Sequence, residues 1–158
     1  MSKKIKFILY ILCLILLFIL IGCRGDGNND TALNEYQAKM EFFYEHLNSY
    51  DRDLNELDPE KSTAVTDMLS YLDGIAALVK TMASYKVPEV FVGVEELAKQ
   101  ADEYMTEAVR LYREAFTASE YDDNIAKAAQ ENFERANLRL RYIADILRGE
   151  IPEGLFSN

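Results

Sequence analysis

The chain has 158 residues, with 17 Lys and Arg against 27 Asp and Glu, one histidine, two cysteines and no tryptophan. That length suits a single domain, and 49% apolar with 28% charged residues suits a globular one. A net charge of −10 excludes nucleic acid as a partner, because affinity for a phosphate backbone comes largely from Lys and Arg displacing counterions. A single histidine also removes most nucleophile–base and multi-histidine metal arrangements.

The first element is a leader. Lys3, Lys4 and Lys6 precede an unbroken apolar run from Phe7 to Ile21, 15 residues long, then Gly22-Cys23, and no acid occurs before Asp26. A basic start, an apolar stretch and a small residue before a cut point mark a secretory signal. Leu20-Ile21-Gly22-Cys23 resembles the lipobox of bacterial lipoprotein precursors. The resemblance implies recognition of Leu20, Ile21 and Gly22 by a signal peptidase, cleavage before Cys23, and acyl chains on Cys23. The other reading is an uncleaved membrane helix over Phe7–Cys23, whose 17 residues sit at the lower limit for a span. Both leave the lysines in the cytoplasm and everything after Cys23 outside. The expected location is therefore the cell membrane, lipid-anchored and facing the extracytoplasmic side.

Cleavage would remove residues 1–22, leaving 14 Lys and Arg against 27 Asp and Glu, a charge of −13. Cys13 leaves with the signal and lipidation occupies Cys23. The folded part then has no free thiol, which excludes disulfides, thiolate catalysis and cysteine metal sites together. Two or three acyl chains on one residue suffice for permanent attachment, where a single chain gives only reversible binding.

Residues 23–31 follow as the lipidated cysteine and a tether, because Arg24-Gly25-Asp26-Gly27-Asn28-Asn29-Asp30 holds no apolar residue. Its reach as a coil is about 15 Å. The Arg24-Gly25-Asp26 tripeptide spells an integrin-type motif but is read as a chance match. From there the apolar residues step alternately by three and four, the period of one buried helix stripe. Leu33, Tyr36, Met40, Phe43, Leu47, Tyr50, Leu54 and Leu57 predict a first helix over 32–57. Val65, Met68, Leu72, Ile75, Val79 and Met82 predict a second over 59–84, with Asp58 as its cap and Pro59 in its first turn. A third stripe starts at Val87 and Val90 and runs to Ala115, predicting helix over 88–117 behind Pro88. Val90-Phe91-Val92-Gly93-Val94 alone would suit an extended segment, but the stripe crosses it unbroken. The fourth, from Ile125 to Leu147, predicts 122–148, opened by Asp122 and Asp123 and closed by Gly149. Residues 150–158 form a tail in which Leu155-Phe156 has the chemistry to cover a bundle end.

Short connections make consecutive helices antiparallel neighbours. The expected fold over 32–149 is thus all-α, an up-down-up-down four-helix bundle. The alternative is three helices with the first segment detached or swapped between chains.

The search for chemistry inside that bundle is short. A carboxylate-bridged metal site needs Glu-x-x-His on two helices, but the residue three before His46 is Phe43, so no metal or other cofactor is expected and His46 reads as a surface residue. A glycan hydrolase needs a carboxyl with a raised pKa beside an ionised one, whereas the acids, as in Asp51-Arg52-Asp53 and Glu95-Glu96, fall off the stripes. Glu95 with Lys99 and Glu131 with Arg135 read as supporting pairs one turn apart. Tyr36, Tyr50 and Tyr104 read as core, while Tyr44, Tyr71, Tyr85 and Tyr121 read as the better contact candidates. The reading that follows is a non-enzymatic, lipid-anchored envelope accessory that contacts the membrane through Cys23 and an envelope protein of unknown identity. A polysaccharide hydrolase and a receptor for a small ligand are the alternatives.

Overall fold

A computed structural model describes residues 27–152, with side chains from Thr31 onward. Residues 1–26, with Leu20, Ile21, Gly22 and Cys23 of the predicted leader, lie outside the described residues, as do residues 153–158. The described part is all-α: α1 (Gly27–Asn55), α2 (Ala64–Ala83), α3 (Val94–Thr117) and α4 (Asp123–Leu147). Contacts divide the chain between Ala32 and Leu33. Of the first unit only the opening turns of α1 are described. The second unit, from Leu33, carries all the packing that follows.

The stripes become the core. Tyr36, Met40 and Phe43 from α1, Leu72, Ile75, Val79 and Met82 from α2, Leu97, Ala101 and Met105 from α3, and Ala136, Leu140 and Ile143 from α4 are buried in one cluster. Small residues let the helices approach. The clearest case is Gly74 on α2, where an added Cβ would stand 2.5 Å from the Tyr50 ring of α1. Cross-helix contacts fix which halves meet. The phenol of Tyr44 on α1 donates to the Leu140 carbonyl of α4 at 2.7 Å. Arg113 on α3 reaches Asp73 on α2 at 2.6 Å, an exposed pair of small energetic weight. Arg139 on α4 donates to Gln100 on α3 at 3.2 Å.

Both ends of α4 lie where the sequence puts them. Asp122 accepts hydrogen bonds from the backbone of Asn124 and Ile125 at 2.9 and 3.1 Å, satisfying two of the orphan donors at the start of α4. At its end Gly149 takes φ +76°. There the Glu150 N–H bonds the Asp145 carbonyl and the Gly149 N–H bonds the Ile146 carbonyl, a Schellman closure that glycine permits without strain.

Three expectations need correction. The predicted tether is helical from Gly27, so the first helix starts five residues before position 32. The second helix starts at Ala64, not 59. Asp58 caps a tight turn instead, accepting from the Glu60 N–H at 3.0 Å, because residues 58–63 contain no apolar side chain that a helix there would bury. The third helix starts at Val94, not 88. Gly93 turns left-handed at φ +86°, and the chain from Pro88 runs through two tight turns, Phe91 N–H to the Pro88 carbonyl and Val94 N–H to the Phe91 carbonyl. The stretch is not one helix face: Phe91 and Val94 are buried, whereas Val90 and Val92 are 67% and 83% exposed.

Candidate functional site

The lipobox-like residues lie outside the described part, so the candidate surfaces within it are grooves, rings and carboxylates carried by the bundle. Three grooves stand out, all open to solvent. Between α1 and α4 lies one of about 380 Å³ with Met40, Tyr44, Ala144 and Leu147 on its floor and Gln37, Glu41 and Arg148 around it. Another, about 490 Å³, lies between α3 and α4 beside Leu97, Gln100, Leu138, Arg139 and Tyr142. A smaller one of about 200 Å³, at the α1–α2 connection, is lined by Asp53, Glu56, Asp58, Lys61, Asp67 and Tyr71. Among the described residues no group of His, Cys, Asp or Glu has metal-binding geometry. Apart from the tyrosine Tyr36, none of their side chains with a polar group is buried.

The carboxylates of Glu95 and Glu107 are exposed. Glu95 and Lys99 form the pair expected from their spacing, at 2.8 Å, and the hydrogen bond from Lys99 holds the Glu95 carboxyl below its usual range. Glu107 is likewise lowered by its hydrogen bond from Arg110. Both shifts run opposite to what a general acid requires. Arg135 and Arg139 lie over the Tyr104 ring, at 5.8 and 4.9 Å from its centroid. His46 is exposed, as read from sequence; its Nδ1 lies 2.9 Å from the Phe42 carbonyl, so that nitrogen carries the proton, and its ring stacks at 3.8 Å on exposed Phe42.

The tyrosines divide differently from the expectation. Tyr36 is buried and Tyr104 packs at the core margin, as predicted. Tyr44, read as a contact candidate, is instead half-buried with its hydroxyl committed to Leu140. It sits one residue beyond Phe43, where the wide face of α1 meets α4, a placement that a one-helix stripe does not reveal. Tyr71 and Tyr85 are half-buried, and only Tyr121 of the four is exposed. Sequence reading also missed the two exposed valines, although Pro88 and Gly93 bracket them with turn signals.

Burial has a consequence at high pH. Desolvation pushes the Tyr36 phenol up to about 12 and raises that of Tyr44 as well, since a low-dielectric surrounding disfavours phenolate. In the unfolded chain both ionise near 10. The folded state binds their protons more tightly, so their contribution to stability is complete below about pH 10 and is lost as pH rises through the folded values. Urea titrations across pH 8 to 12 should therefore show a constant midpoint up to about pH 10 and a steep fall above it. Replacing both residues by phenylalanine should flatten that fall.

Among the described residues no helix is long and apolar enough to cross a membrane. Comparison of the chain with protein-family models, with curated proteins and with solved structures returns no match.

Proposed function

We propose that the chain is a lipid-anchored extracytoplasmic lipoprotein whose mature domain is an up-down-up-down helical bundle acting as a non-enzymatic envelope accessory through protein contacts. The observation that carries the reading is linear: Leu20-Ile21-Gly22-Cys23 ends an apolar run of 15 residues behind three lysines. Alternating direction is supported for α3 and α4, where Gln100 meets Arg139 and Tyr104, one turn further on, meets Arg135, one turn earlier.

The test is Cys23→Ala, expressed in a bacterium fed an alkyne-bearing fatty acid. Wild-type protein should take up the label and sediment with membranes. The variant should lose the label and keep residues 1–22. Membrane attachment of an unlabelled wild-type protein at full precursor mass would identify an uncleaved helix and overturn the lipid anchor.

A further inference from the structure

Of the three grooves, the one between α1 and α4 has the most apolar floor, made by Met40, Tyr44, Ala144 and Leu147. Glu96, Gln100 and Arg139 reach into the one between α3 and α4, and carboxylates line the third. The polar group of the apolar floor is already satisfied, because the Tyr44 phenol donates to the Leu140 carbonyl. An apolar occupant would therefore leave nothing unpaired there, and covering the floor would remove apolar surface from water.

The chain leaves α4 beside this groove, since Leu147 and Arg148 line it. It does not run straight on. At Gly149 the φ of +76° folds it back, with the Glu150 N–H on the Asp145 carbonyl. Ile151 is then exposed but Pro152 is buried, so the last described residue enters the protein instead of leaving into solvent. Six residues follow, Glu153-Gly154-Leu155-Phe156-Ser157-Asn158, and Leu155-Phe156 is their only apolar pair. Phe156 stands four residues past Pro152 and eight past Arg148, reaches of at most about 14 and about 29 Å.

We propose that residues 153–158 fold back as a strap along the seam between α1 and α4, seating Leu155 and Phe156 on the floor of Met40, Tyr44, Ala144 and Leu147. A segment attached so close by a short link is present at the groove at an effective concentration in the millimolar range, which a free partner of the same chemistry does not match. Seated, the strap ties α1 to α4 and withholds the groove from other apolar segments. Nothing in it depends on a lipid at Cys23.

The experiment uses the full chain, expressed with p-benzoylphenylalanine in place of Phe156 and irradiated in whole cells. Fragmentation of the monomer-sized product should place the cross-link on residues 37–44 of α1 or 144–148 of α4. Ala144→Glu, at a half-buried floor position, should abolish that cross-link while circular dichroism shows the helices intact. Leu155→Ser with Phe156→Ser touches none of the four helices and should shift the urea midpoint of the full chain downward. An unchanged midpoint overturns the strap. A cross-link to Val90 or Val92 would lay the tail over the bundle end, and one to residues 96–100 would seat it between α3 and α4; either overturns the proposal. So does a dimer-sized product, a product with another protein, or no cross-link at all.

Discussion

Phe43→Ala lowers the unfolding free energy by about 3–5 kcal/mol, the cost of truncating a fully buried aromatic ring. Phe43 is 0% exposed and lies edge-on to Tyr44 at 4.9 Å, so the void would open where α1 meets the rest of the core. A domain of this size has about 5–15 kcal/mol to lose, so the variant stays folded but much closer to its limit. The neighbouring residue supplies the control. Phe42 is 53% exposed, and Phe42→Ala should change stability by about 0.5 kcal/mol or less. Urea unfolding in mild detergent, followed by helical circular dichroism, checks both. A loss below about 1 kcal/mol for Phe43→Ala would mean that α1 is detached. A midpoint that rises with protein concentration would mean that α1 is exchanged between chains. The packing of Tyr36, Met40 and Phe43 in the common core predicts neither.

The second large effect is a change of sign. In a helix interior Gly→Ala normally stabilises by about 1 kcal/mol. Gly74→Ala should instead destabilise by about 1–3 kcal/mol, because its Cβ would stand 2.5 Å from the Tyr50 ring and drive a half-buried aromatic from its place. In a Tyr50→Ala background the obstruction is gone, and the same Gly74→Ala change should recover its normal stabilising sign. The resulting coupling energy, about 2 kcal/mol or more between the two sites, is a direct measure of the α1–α2 contact. Additivity within about 0.5 kcal/mol would contradict the close approach.

These two sites mark where sequence reading stops. The Phe43 stripe was legible because helix periodicity is local and one face repeats every three or four residues. Asp122 and Gly149 were legible for the same reason, since a cap acts on backbone groups within a few positions. Gly74 carried no signal, as its reason for being glycine lies on another helix. Asp58-Pro59 and Pro88 misled in opposite ways. The first offered helix-start chemistry with nothing apolar behind it to bury. The second stood before an apolar stretch whose spacing continued the stripe, although Val90 points outward and the helix opens only at Val94. The lipobox-like motif is linear and visible in sequence, whereas the exposure of Val90 and Val92 appears only once Phe91 is seen to turn inward between them.

The most direct test of the lipoprotein reading is the intact mass of the protein extracted from membranes, with fragmentation of its N-terminal peptide. The account predicts a chain that begins at Cys23, lacks residues 1–22 and carries a diacylglyceryl group on the sulfur. A chain that retains Lys3, Lys4 and Lys6 and has an unmodified Cys23 thiol would contradict it.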